Sequence, residues 1–143
     1  MASSKFTKRE REAIVDAIKR AEGRTSCEIR VHMEKHCRGD VLDRATDVFH
    51  TLKMNETADR NGVLIYLAVK ERKTAVIGDV NINRRVVRNF WNDCYAAMAS
   101  FFAKGDFTGG ILEAVSMLET ELKNHFPHYS GDVNELPDEI SLG

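Results

Sequence analysis

Three acidic residues in this chain sit where a hard cation could use them. Asp59 opens the run Asp59-Arg60-Asn61-Gly62, Asp79 follows Ile77-Gly78, and Glu28 lies in Thr25-Ser26-Cys27-Glu28. Carboxylates mixed with hydroxyl, carbonyl and amide oxygens, here from Thr25, Ser26 and Asn61, form the donor set that Ca2+ or Mg2+ takes. Asp106, in Lys104-Gly105-Asp106-Phe107-Thr108-Gly109-Gly110, is a fourth candidate metal ligand, and Glu34 with Asp40 makes a second-choice acidic cluster. Arg60, Asn61 and Arg84 are the candidate substrate-binding groups, the two guanidiniums being suited to charge on a phosphoryl group. The aspartates also have a plainer reading, as turn and helix-cap residues that satisfy backbone amides. His32, His36 and Cys37 lack a second Cys/His pair at ligand spacing, which argues against zinc.

Whether the acids meet depends on the elements that carry them. Val63-Leu64-Ile65-Tyr66-Leu67-Ala68-Val69 is an unbroken apolar run with turn signals on both sides, so it reads as a strand buried on both faces. Lys70-Glu71-Arg72-Lys73 is a short charged connection, which makes Thr74 to Asp79 the antiparallel hairpin partner. Thr25 to Met33 alternates, with Cys27, Ile29, Val31 and Met33 on one side and Ser26, Glu28, Arg30 and His32 on a less apolar one. A helix capped by Asp40 follows, so this strand and the one at Val63 are parallel, joined by a right-handed crossover. That order puts Glu28, Asp59 and Asp79 at one sheet edge. Asp106 belongs at the opposite edge, because a helix over residues 84–103 spans about 30 Å at 1.5 Å per residue. There it would face Glu34 and Asp40, and Gly109-Gly110 would let a phosphate approach the free amides of the last helix.

The remaining elements are helical. Thr7-Lys8-Arg9-Glu10 has capping-box spacing, and Ile14, Ala17, Ile18 and Ala21 make an apolar stripe behind it. Ile111, Ala114, Val115, Leu118 and Leu122 face the core from a last helix that ends before Pro127. The element order α-β-α-β-β-α-α predicts an α/β fold, a three-layer α/β/α sandwich around a small mixed sheet. Residues 1–126 form the domain. Residues 127–143 hold Asp132, Glu135, Asp138 and Glu139 with no Lys or Arg, and read as an acidic, extended or flexible tail.

At 143 residues and a formal net charge of −1, the chain has room for one core and no field that recruits nucleic acid or an anionic membrane. No apolar run is long enough to cross a bilayer, and the N-terminus has no secretory pattern. Cys27, Cys37 and Cys94 are an odd set without paired spacing, as in a reducing cytoplasm. A cytoplasmic monomer is expected.

Five patterns occur in order: Thr25-Ser26-Cys27-Glu28-Ile29-Arg30-Val31, Asp59-Arg60-Asn61-Gly62-Val63-Leu64, Ile77-Gly78-Asp79, a helix with Trp91 and Met98, and Gly105-Asp106-Phe107-Thr108-Gly109-Gly110-Ile111. Together they resemble the TPM domain family over roughly residues 7–126. The resemblance implies an α/β/α sandwich, divalent metal binding and, for plastid members, an acid phosphatase linked to photosystem repair. Many relatives carry a signal peptide and a membrane anchor, which this sequence lacks. Asn81 stands where relatives commonly have glycine, and asparagine tolerates the same left-handed turn. The leading expectation is a soluble divalent-cation-binding domain with a regulatory or protein-maintenance role. The alternatives are a metal-dependent phosphomonoesterase and a module that engages a protein partner through the acidic tail.

Overall fold

The computed structural model describes residues 6–129 and 131–143. Helix α1 (Lys8–Glu22) starts at the capping box: Glu10 N–H donates to Thr7 Oγ1 at 3.0 Å, and Thr7 N–H donates to Glu10 Oε1 at 2.9 Å. Strand β1 (Glu28–Glu34), helix α2 (Val41–Thr51) and strand β2 (Gly62–Ala68) form the crossover unit, with β1 and β2 parallel and Glu28 opposite Gly62. Strand β3 (Lys73–Gly78) pairs antiparallel with β2, Gly78 opposite Val63. Helices α3 (Val80–Asn83), α4 (Phe90–Ala103) and α5 (Phe107–His125) follow.

The sheet order is β3-β2-β1-β4. Helices α1, α4 and α5 cover one face, on Ile29, Val31, Val63, Ile65 and Val76. Helix α2 covers the other, on Leu64, Tyr66, Ala68 and Ala75. Every residue of β2 is therefore buried, each large side chain worth about 1.5–3 kcal/mol. This is the three-layer α/β/α sandwich with a mixed sheet that the element order predicts.

Three details differ from the sequence-based expectation. The helix expected over residues 84–103 starts only at Phe90: α3 ends at Asn83, and Asn89 lies in the left-handed region at φ 72°. Asparagine adopts that conformation readily, and it cannot continue a right-handed helix. Arg84 is consequently not on that helix, and Arg85 stacks over the Phe126 ring at 5.1 Å. The polar side of β1 is not the open one, since Glu28, His32 and Glu34 are all buried. Finally, the described residues after α5 pack back on the domain: Thr25 bridges Pro127, Leu136 is buried in the α2 layer, and Ser141–Leu142 form a fourth strand, β4, parallel to β1. Two residues carry no periodicity from which that strand could be read.

Candidate functional site

Strand order gathers Glu28, Asp59, Arg60, Asn61 and Asp79 at one sheet edge. Asp79 N–H donates to Gly62 O at 2.9 Å, Glu28 N–H to Asn61 O at 3.1 Å, and Asn81 Nδ2 to Asp59 O at 2.6 Å. At the centre is a bidentate ion pair. Arg60 Nε and Nη2 donate to the two oxygens of Asp79 at 2.8 and 2.9 Å. Asp79 is only 5% exposed, and its Oδ1 also caps α3 through Val80 N–H at 2.8 Å. Asn61 Nδ2 reaches back to Ser26 O at 2.7 Å, while its Oδ1 is buried with no partner among the described residues.

The candidate ligands nevertheless have separate partners. Glu28 accepts Leu136 N–H at 2.5 Å, and burial pushes its carboxyl up to about 7 against the pull of that bond. Asp59 is exposed, and among the described residues its carboxylate meets only Tyr129 OH, at 3.5 Å. Asp106 lies away from this edge, capping α5 through Gly109 N–H at 2.8 Å. Asp40 caps α2 through Asp43 N–H at 2.9 Å, so Asp106, Asp40 and Glu34 do not form the second cluster. His36 and the Cys37 amide both bind Glu71, each at 2.6 Å. Among the described residues no three His, Cys, Asp or Glu side chains are grouped to hold a metal ion. The four carboxylates do not fit a cation as one set: a guanidinium already neutralises Asp79, and Asp106 is elsewhere. What does fit in kind is the oxygen pair left over, the orphan Asn61 carbonyl and the Asp59 carboxylate.

A cavity of about 360 Å³ opens beside the ion pair, lined by Thr46, His50 and Asn55 from the α2 side and by Arg60, Asp79 and Asn83. Arginine has five N–H donors. Two bind Asp79, so three remain, and no other described residue takes them. Arg60 holds this pose from a left-handed backbone, φ 49°, a strained conformation for a side chain of its size. His50 Nδ1 donates to Thr46 O at 2.9 Å, which leaves its Nε2 as a bare acceptor in the neutral ring. The sequence reading missed His50. Its signal was the Thr46–His50 spacing of four on the flank of α2 that Ala45, Val48 and Phe49 leave free. Arg84 caps α3 after Asn83 and does not line the cavity.

The family pattern described as the TPM domain matches residues 3–121. The chain belongs to the TPM domain family. A solution structure of the BA42 protein from the psychrophilic bacterium Bizionia argentinensis is similar at 45% identity and TM-score 0.89, over 96% of this chain and 95% of that one. The N-terminal domain of a protein from P. gingivalis shares the fold at 14% identity and TM-score 0.66, over 87% of this chain and 82% of that one. The N-terminal domain of a Corynebacterium glutamicum protein does so at 13% identity and TM-score 0.59, over 94% and 79%. No curated protein matches the chain. Among the described residues, no helix of this TPM domain is long and apolar enough to cross a membrane.

The opposite sheet edge of the TPM domain holds a second polar group. Glu34 accepts two bonds from Arg44, both 2.8 Å, one from Tyr66 OH and one from His32 Nε2 at 3.0 Å. Burial raises the Glu34 carboxyl, but those donors outweigh it and hold it at about 2. Burial holds His32 below its ordinary value, so the neutral ring donates from Nε2 and accepts Ser141 Oγ–H at Nδ1, 2.9 Å away. His32 and Tyr66 stack at 5.9 Å. Every polar atom of the Glu34 carboxylate is engaged.

Proposed function

We propose that this TPM domain binds a phosphate ester in the cavity beside Arg60, and that it is a phosphomonoesterase or a sensor built on that site. The observation that carries the reading is the Arg60–Asp79 pair. A buried carboxylate fixes the guanidinium while three of its donors stay free at the wall of an open cavity, the arrangement a planar, charge-assisted clamp on phosphoryl oxygens needs. Membership of the family supports the same chemistry. His50 Nε2 is placed to exchange a proton at that cavity, and the Asn55 and Asn83 amides add neutral donors.

The test is a titration of the 15N-labelled chain with p-nitrophenyl phosphate, followed by a release assay. Binding shifts the amides of residues 50, 55, 60 and 79–83, and Arg60→Gln removes the shifts. Shifts that survive Arg60→Gln would sink the site. Turnover that stops in His50→Ala while the shifts persist assigns His50 to the proton transfer.

A second reading has its own observation. The unpartnered, buried Asn61 Oδ1 is a ready donor for Ca2+ or Mg2+, with Asp59 two residues before it. Thermal melting tests it, because cation at a hundred times its Kd adds about 2.7 kcal/mol. The increment should disappear in Asn61→Ala, and no increment in the native chain removes the cation from the account.

A further inference from the structure

The outer edge of β3 is an unpaired strand in a groove. In the β2–β3 ladder, Asp79 N–H bonds Gly62 O, and the pairing runs one to one from there to Lys73 opposite Ala68. Inward and outward bonds alternate along an antiparallel strand. Residues 73, 75 and 77 therefore bond β2, and Thr74, Val76 and Gly78 turn their N–H and C=O groups away from it. Gly78 O takes Asn83 Nδ2 at 2.9 Å, but no described residue bonds the backbone N–H or C=O of Thr74 or Val76.

Natural sheets blunt such edges with charge, proline or a bulge. Thr74-Ala75-Val76-Ile77-Gly78 has none of the three. A groove of about 370 Å³ runs along it instead, walled by Val41 and Leu42 from the start of α2 and by Trp91 and Tyr95 from α4. Leu42 is 54% exposed and Tyr95 49%, while Thr74 and Val76 at the floor are almost enclosed. Gly78 keeps the Trp91 wall in place: a Cβ there would meet the indole at 2.8 Å. The walls and floor include no charged side chain.

We infer that this groove accepts an extended peptide segment, which adds a fifth strand to the sheet at β3. Enclosed, unpaired amides are costly and an incoming backbone satisfies them. Alternate side chains of the added strand would point to opposite faces, one row toward Leu42 and the other toward Trp91 and Tyr95. The segment must therefore be uncharged and apolar on both faces for about four residues. A second copy of this chain is a poorer occupant, since its own β3 lies equally deep between two helices and the walls would meet first.

The probe is an acetylated, amidated heptapeptide of lysine, serine, three valines, serine and lysine, titrated into the 15N-labelled chain to 1 mM. Binding shifts the Thr74, Val76 and Gly78 amides and the Trp91 indole, and slows hydrogen exchange at Thr74 and Val76. The same peptide N-methylated at the central valine keeps its apolar surface but loses a donor, and should bind at least tenfold more weakly. Val76→Pro removes an outward N–H, which an edge strand tolerates, and also alters a core side chain; the folded variant should lose the shifts. Leu42→Lys, at an exposed position, gives a second variant that keeps the fold. No shift at 1 mM, equal binding of the methylated peptide, or protection of those amides by self-association in sedimentation each overturns the assignment.

Discussion

The two ends of the sheet carry similar residue types put to opposite use. At the β1 carboxyl end, Glu34 spends both oxygens on Arg44 and also takes Tyr66 and His32. At the other end, Asp79 also holds an arginine in a fork, yet that arginine keeps three donors free at a cavity and Asn61 keeps a bare carbonyl. A closed network rigidifies a core and has nothing left to offer a ligand. An open one, next to a strained backbone, is where recognition can occur. Buried charge alone does not mark a site; unspent hydrogen-bonding capacity does.

The largest expected effect breaks the closed end. Glu34→Ala leaves Arg44 and Tyr66 without their partner and should cost about 3 kcal/mol, the scale for breaking a buried pair. Urea unfolding measures this, and phosphate binding per folded molecule should not change. A variant that kept its stability but lost binding would exchange the roles of the two ends. Arg60→Gln comes next, with a smaller loss, because a buried carboxylate loses two charged hydrogen bonds from a group that is itself solvated. Here binding should vanish along with part of the stability.

Acidity separates the ends further. Burial and a shared hydrogen bond with Asp138 push Glu22, behind β1, up to about 9, and burial pushes Glu28 up to about 7. Between pH 4.5 and these values the folded chain keeps protons that the unfolded chain has released, so stability falls as pH rises through that window. Glu34 has the opposite sign: its contribution is complete above 4.5 and is lost as pH falls toward 2. Urea midpoints should therefore decline from pH 5.5 to 8.5, by the equivalent of about 1 kcal/mol or more, and Glu22→Gln should flatten the decline. A midpoint that climbs over that range would contradict the protonated Glu22–Asp138 contact.

How much of this was written in the sequence follows from the range of each interaction. The capping box, the hairpin and the parallel pair rest on short periodic patterns, so Glu28, Asp59 and Asp79 could be brought to one edge from residue order alone. The partners could not. Arg60 reaches Asp79 across 19 positions, and Leu136 reaches Glu28 across 108. No local pattern encodes such contacts. The same holds for β4, which is specified by the β1 edge it covers, and for His50, which matters only because β3 and α3 place a cavity in front of it.

The smallest effect is informative because it should be almost nil. Asp106 can be a ligand or a cap, and the structure shows it capping α5 through Gly109 N–H. Asparagine caps as well as aspartate but is a much poorer ligand for a hard cation. Asp106→Asn should thus leave the urea midpoint within about 0.5 kcal/mol of the native chain and leave any calcium-induced rise in melting temperature intact. Asp106→Ala should cost about 1 kcal/mol, as a lost cap does. If Asp106→Asn instead removes the calcium response at unchanged stability, the cation sits at the start of α5, outside both polar groups, and the open end loses its claim to it.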